Sequence, residues 1–142
     1  MNLRLATIED AQLLLSWRND SNTIANSKVS HRVNLSDHLI WLKSSIENPN
    51  RELYIAELDG KSVGTVRVDY CHESQYCELS WTIAPNSRGQ GLGKSMVGLM
   101  ACKIDYQIFA EIKLGNIESA RIAESVGMQL KCTENGIMYW RN

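Results

Sequence analysis

The chain has 142 residues, enough for one domain with a substantial buried core. Its 15 Lys and Arg against 16 Asp and Glu leave a net charge of −1, which excludes a basic field able to hold nucleic acid or an anionic membrane by charge alone. No apolar run approaches a membrane span, and the four cysteines show neither Cys-x-x-Cys pairing nor zinc-ligand spacing, so reduced, mostly buried thiols and no metal are expected.

The N-terminal "MNLRLATIEDAQ" lacks the apolar core of a signal peptide, and the cytoplasm is the expected compartment. Residues 2–6 read as a strand. Thr7 with Asp10 three positions on has the spacing of a capping-box variant and opens a helix to about Trp17. Residues 19–34 are polar and read as a loop. Ser36 is then expected to cap a helix over 37–47, with Leu39, Leu42 and Ile46 on its apolar face. The stretch "ELYIAELDGKSVGTVRVDY" is two strands joined at Asp59-Gly60, the strongest short hairpin signal.

A further strand, "YCELSWTIA", stops at Pro85. Its alternation places Glu78, Ser80 and Thr82 on one face and Leu79, Trp81 and Ile83 on the other, so the polar face is expected to line a cleft. The loop that follows, Arg88-Gly89-Gln90-Gly91-Leu92-Gly93, runs into Lys94-Ser95, the letters that close a nucleotide-binding P-loop. A P-loop needs a glycine where Arg88 stands, and a Rossmann fingerprint needs one where Lys94 stands. The next strand also runs into Gly115-Asn116 with no carboxylate at its end to hold magnesium. Three glycines at alternate positions before Leu92, Met96, Leu99 and Met100 instead describe a loop opening a helix, whose free N–H groups and dipole suit a phosphate. After "IFAEIKL" come a helix from Asn116 to about Val126, a stop at Gly127 and a hairpin turning at Asn135-Gly136. These elements predict an α/β domain spanning residues 1–142, with a mixed, mainly antiparallel sheet of six to seven strands flanked by about four helices.

The order of elements together with the Arg88–Gly93 loop resembles the GNAT superfamily of acetyl-CoA-dependent N-acetyltransferases over nearly the whole chain. The family's Gln/Arg-x-x-Gly-x-Gly/Ala motif stands here as Arg88, Gly91 and Gly93, and a second motif as Asn116, Ser119 and Gly127-Met128, with Met where the family usually has Phe. The resemblance implies that Arg88, Gly89, Gln90, Gly91, Gly93, Lys94 and Ser95 hold the pyrophosphate of acetyl-CoA. It also implies that Ile83 meets the pantetheine through its backbone and that Asn116 completes the cofactor set. No metal is needed for aminolysis of a thioester.

The same resemblance implies a catalytic base at Glu78, for which a solvated sheet residue is the plain alternative. The proton donor is less defined, because the family's usual Tyr position is Ala123; Ser119 shares its helical face and is the candidate, against a hydroxyl merely bonded to backbone. Cys102 and Cys132 have no His partner that would make either a nucleophile. "LLSWRND" and "SDHLIWL" resemble pieces of amino-sugar-nucleotide acetyltransferases of the pseudaminic-acid type, which implies acceptor contacts from Arg18, His38 and Trp41. The plain readings are core packing for Trp41 and exposure for His38. His31, His72 and Tyr139 read as surface or packing residues. A small-molecule amine acceptor is therefore expected. A protein N-terminal acetyltransferase of ribosomal-protein type and a catalytically silent CoA-binding domain stand as alternatives, and dimerisation through the last hairpin edge is left open.

Overall fold

Two tight hairpins and one parallel strand pair organise the sheet. The computed structural model describes residues 1–142. Strands β2 (Arg51–Leu58) and β3 (Lys61–Cys71) turn at Asp59-Gly60, and β6 (Gln129–Glu134) and β7 (Ile137–Arg141) turn at Asn135-Gly136. Both turns have φ near +51° and +78° at their central residues, the left-handed pair that Asx-Gly supplies cheaply. With β1 (Asn2–Leu5), β4 (Tyr76–Ile83) and β5 (Gln107–Lys113) they form a seven-stranded sheet in the order β1-β2-β3-β4-β5-β7-β6. All pairings are antiparallel except β4 with β5.

Alternation along the strands gives the sheet two different faces. Val66, Val68, Leu79, Ile108, Ala110 and Ile112 point to one side, where α4 (Leu92–Ala101) and α5 (Ile117–Ser125) cover them in a core of 17 buried residues. Leu53 and Ile55 point to the other side, against α1 (Ala11–Arg18) and α3 (Leu35–Glu47), in a smaller core of eight. The second core is small because the middle of that face is polar: Thr65, Arg67, Ser80, Thr82 and Glu111 all line a cleft.

The N-terminal half departs from the local pattern in several places. The first helix begins as a 3₁₀ turn at Ile8–Asp10, with the Asp10 carboxylate accepting the Thr7 N–H at 2.8 Å. The polar stretch after it holds a short helix, α2 (Ser21–Ala25), because Asp20 caps it by accepting the Thr23 N–H at 3.2 Å. The chain thus has five α-helices, one more than expected. Helix α3 is capped by Asn34, whose Oδ1 accepts Asp37 N–H at 2.8 Å, and not by Ser36, which lies inside the helix. Its buried face is His38, Leu42 and Ser45, while Leu39 and Ile46 are 36% and 43% exposed. Helical spacing permits either stripe through Leu42. The tertiary structure selects the polar-flanked one by burying His38 and by bonding Ser45 Oγ to Arg51 (3.0 Å). The thiols also differ from expectation: Cys77 is buried and Cys71 half-buried, but Cys102 and Cys132 are exposed on a helix end and an edge strand that nothing covers. No helix is long and apolar enough to cross a membrane.

Beneath α1, Arg4 donates two hydrogen bonds to the nearly buried Asp10, at 2.8 and 2.9 Å. That fork, opposed in part by burial, holds the Asp10 carboxyl below its ordinary range. A depressed carboxylate stabilises the fold above its unfolded pKa, near 3.9, and loses that contribution as pH falls through the folded value. Arg4→Ala is expected to cost about 1 kcal/mol at pH 7, a figure kept low because Arg4 is 35% exposed. The acid-unfolding midpoint should move to higher pH, as read by circular dichroism. An unchanged acid midpoint would show that the fork does not couple to folding.

Candidate active site

Strands β4 and β5 part company at Glu78. Their parallel register is Tyr76 with Gln107, Cys77 with Ile108 and Glu78 with Phe109, and there it ends, although β4 runs on to Ile83 and β5 to Lys113. Beyond the apex the β4 edge from Leu79 to Ile83 has no strand beside it, so its backbone groups are available to an extended ligand. Into this opening face two adjoining clefts, of about 480 and 130 Å³. Trp81, Thr82, Asn116 and Ser119 line both and mark their junction.

The smaller cleft leads past Ile83 and Arg88 towards the glycine loop. Gly89 and Gly91 hold φ of +75° and +74°, and a Cβ on either would meet no protein atom within 4 Å, so these two leave the loop open on its outer side. Gly91 is the N-cap of α4, and the first helical bond runs from Ser95 N–H to Gly91 O at 3.4 Å. The amides of Leu92, Gly93 and Lys94 therefore have no acceptor in the preceding turn, an arrangement fit for a phosphate. The Lys94 and Ser95 side chains are exposed on that turn.

Two of the expected loop residues also make structural contacts. Gly93 is buried, and a Cβ there would stand 2.5 Å from Ile122 Cδ1 and 3.4 Å from Ile83 Cδ1, so this glycine permits the close approach of α4 to α5. Arg88 donates to Asp20 (2.8 Å) and to the Thr23 hydroxyl (3.1 Å), so its guanidinium ties the glycine loop to α2. Gln90 reaches back to the Asn86 carbonyl at 3.4 Å. Asn116 caps α5 by accepting the Ser119 N–H at 3.3 Å. Ala123 is fully buried in the core and has no access to either cleft, whereas Ser119 stands at their junction.

The larger cleft brings Arg18, His38 and Trp41 together on one wall. Arg18 donates to the Val29 carbonyl at 2.8 Å, and its other terminal nitrogen is buried without a partner. His38 is buried, contrary to the plain sequence reading of an exposed residue; Trp41 stacks on it at 5.5 Å. Burial lowers the His38 pKa and favours the neutral ring, whose Nε2 has no partner. Trp41 is 36% exposed and so belongs to the wall of the cleft and not to the core.

On the cleft floor the predicted alternation holds for Ser80 and Thr82, which line it, with Arg67 donating to Ser80 Oγ at 3.3 Å. Glu78 shares their parity but lies at the apex and does not line the cleft. The carboxylate that does so is Glu111, on β5, in contact with Glu78 and ion-paired to Lys28 at 3.1 Å. Burial, and then the hydrogen bond to Glu111, push the Glu78 carboxyl above its ordinary range. Burial also acts against ionisation of Glu111, but its bonds with Glu78 and Lys28 outweigh this and draw it below that range. Sequence reasoning missed Glu111. Its signal, a carboxylate on the non-core parity of "IFAEIKL", is visible only once Ile108, Ala110 and Ile112 are known to face the core. The roof over this pair is the segment after α2, held down by Lys28 on Glu111 and by Lys113 Nζ donating to the Ala25 carbonyl at 2.9 Å. No group of three or more His, Cys, Asp or Glu stands together in a way that could hold a metal ion.

Comparison with known proteins matches residues 1–129 to the acetyltransferase (GNAT) domain. No curated protein matches the chain. Among solved structures, an aminoglycoside acetyltransferase, AAC(6')-Ib in complex with coenzyme A, is similar at 21% identity and a TM-score of 0.84, covering 99% of this chain and 93% of that one. A spermidine N-acetyltransferase from Vibrio cholerae, in complex with CoA and spermine, is similar at 12% identity and 0.84, covering 99% and 94%. A ribosomal-protein-alanine N-acetyltransferase from Brucella melitensis is similar at 21% identity and 0.79, covering 100% and 99%. At these identities the structural likeness concerns the fold.

Proposed function

The chain belongs to the GNAT acetyltransferase family, and from that premise we propose that it transfers the acetyl group of acetyl-CoA to the primary amine of an amino-sugar nucleotide by direct attack. The observation that carries the reading is the continuous path from the unbonded first-turn amides of α4, along the open β4 edge, to a cleft whose floor holds the Glu111 carboxylate. The α4 amides suit the pyrophosphate, with Gly89 and Gly91 leaving room for it and Lys94 and Ser95 beside it. The β4 edge near Ile83 suits the pantetheine amides. That route would deliver the thioester to the junction at Ser119.

At neutral pH an alkylamine with a pKa near 10.4 is almost wholly protonated, so one proton must leave before the nitrogen can attack the carbonyl carbon, and a second leaves the nitrogen as the amide forms. The Glu78–Glu111 pair is placed for this at the apex. As the carbon–sulfur bond breaks, the sulfur takes up a proton, for which the Ser119 hydroxyl, standing at the junction of the two clefts, is the candidate donor. The acceptor's remaining groups face Arg18, His38 and Trp41: a fork for phosphate or carboxylate, a neutral imidazole and an aromatic plane. The names of the similar structures cover an aminoglycoside, spermidine and a ribosomal-protein alanine as acceptors, so an amine is common ground and the sugar nucleotide is the specific claim.

Thermal shift with acetyl-CoA, CoA and NAD, followed by thiol release against amino-sugar nucleotides, polyamines and N-terminal peptides, tests this. Stabilisation by the first two ligands and thiol release with the sugar nucleotides are expected. Release with peptides alone would move the acceptor class to protein N-termini, and CoA binding without release to any amine would leave a silent CoA-binding domain. In the active enzyme, Arg18→Ala should raise the acceptor KM about tenfold and leave that of acetyl-CoA unchanged. The reverse pattern would transfer Arg18 to the cofactor side.

A further inference from the structure

We propose that the larger cleft selects a zwitterionic acceptor, one that carries its amine together with an oxyanion, and that Arg18 and Lys113 are the two side chains that hold the anion. This adds a rule of charge and a second cation, Lys113, to the acetyl-transfer reading above, on which it rests.

The charges of the cleft are unequal. Four cationic side chains line it, Arg18, Lys28, Arg67 and Lys113, against the single carboxylate of Glu111. The whole chain has a net charge of −1, so the positive excess is local. Two of the four cations are neutralised within the protein, Lys28 by Glu111 at 3.1 Å and Arg67 by Asp69 at 2.9 Å. Arg18 and Lys113 form no ion pair. Arg18 gives one terminal nitrogen to the Val29 carbonyl and has the other buried without a partner. Lys113 reaches only the Ala25 carbonyl (2.9 Å) and Ser30 Oγ (3.4 Å). Both residues are half-buried, and the other polar lining residues, among them His38, Asn116 and Ser119, carry no negative charge. A cation drawn out of bulk water without a counter-charge is costly, and an anion on the ligand removes that cost.

The same inventory says what the cleft refuses. One carboxylate, already shared with Lys28, accommodates one ammonium. A polyamine would bring further ammonium groups into a partly enclosed space of its own sign, where like charges repel more strongly than in open water. A diphosphate or a dicarboxylate would instead supply the two missing counter-charges. Arg18 offers such a group a planar fork and Lys113 a point charge. Selection thus works in both directions, by attraction of one class of amine and repulsion of the other.

Calorimetry on the protein with CoA in excess tests this without any acetyl transfer, because the added anion is then not drawn to the α4 amides. Uridine diphosphate is expected to bind, glutarate to bind more weakly, and spermine not to bind. Arg18→Gln and Lys113→Gln should each weaken the anion's binding about tenfold. Glutamine keeps an N–H for the Val29 or Ala25 carbonyl, so the charge is lost while a donor to the roof remains. Lys113→Arg, which keeps the charge, should stay within about threefold of the parent. Added salt should weaken binding more steeply in the parent than in either Gln variant. Binding of neither anion, spermine bound as tightly as the anions, or anion binding that neither Gln variant changes would overturn the proposal. Glutarate bound in preference to uridine diphosphate would uphold the two-cation site and count against the sugar-nucleotide acceptor. Anion binding as expected, with no thiol release from any amine, would uphold it and count against acetyl transfer alone.

Discussion

Gly64→Val is expected to cost about 3 kcal/mol of folding stability. A Cβ at this position in β3 would stand 2.8 Å from Met96 Sδ and 2.8 Å from the carbonyl oxygen of Thr82. Met96 is fully buried in the α4 layer and has little space to retreat. The Thr82 carbonyl belongs to the neighbouring strand, paired with β3 in register, and can move only if the β3–β4 ladder moves with it. Valine adds two methyl groups to this collision. For a chain of this length the loss should lower Tm by roughly 10 °C. Urea unfolding should show a lower midpoint with an unchanged m-value. Because the displaced end of β4 is the strand whose free edge faces the clefts, affinity for CoA should fall as well. A variant within about 0.5 kcal/mol of the parent would mean that the sheet absorbs the side chain, contrary to the packing described.

Gly91→Val tests the loop in the opposite circumstance, where the protein itself offers no obstruction. Gly91 has φ of +74° and open space around its would-be Cβ, so the folding cost is the backbone one, about 1–2 kcal/mol for a β-branched residue in the left-handed region. The larger effect should be on binding. A side chain at the N-cap of α4 intrudes on the space outside the free first-turn amides, and the Kd for CoA is expected to rise at least tenfold. Gly60→Val supplies the control. It has φ of +78° and equally open surroundings, but lies in the β2–β3 turn, so it should carry a similar stability cost and leave CoA binding alone. Equal CoA affinity in folded Gly91→Val and Gly60→Val would remove the pyrophosphate from this loop.

The features legible from the sequence are those fixed by neighbours along the chain. Asp59-Gly60 and Asn135-Gly136 are turns because their own backbone conformations demand it, and both are observed. The α4 N-terminus follows from glycines whose positive φ needs no distant partner. The Ser80 and Thr82 parity follows from the two-residue repeat of a strand. The short helix α2 was less visible: its cap is local, but the five residues after Asp20, Ser21–Ala25, are too few to carry an apolar periodicity that would announce it.

Fold class, the phosphate-suited loop, the two Asx-Gly hairpins and the face of β4 that holds Glu78 were thus determined by the sequence alone, through dihedral preferences and period-two alternation acting over a few residues. Only the tertiary structure decided the remainder. The separation of β4 from β5 after Glu78 makes a cleft out of two ordinary strands, and it brings Glu111 from 33 positions away in the chain onto Glu78. Packing against α1 and β2 chose His38, Leu42 and Ser45 over an equally periodic apolar stripe. The bond from Arg88 to Asp20, and the approach of α5 to Gly93, gave two loop residues structural work that their motif does not express. These outcomes depend on contacts between segments far apart in sequence, where burial and hydrogen-bond satisfaction choose among options that local propensity leaves equal.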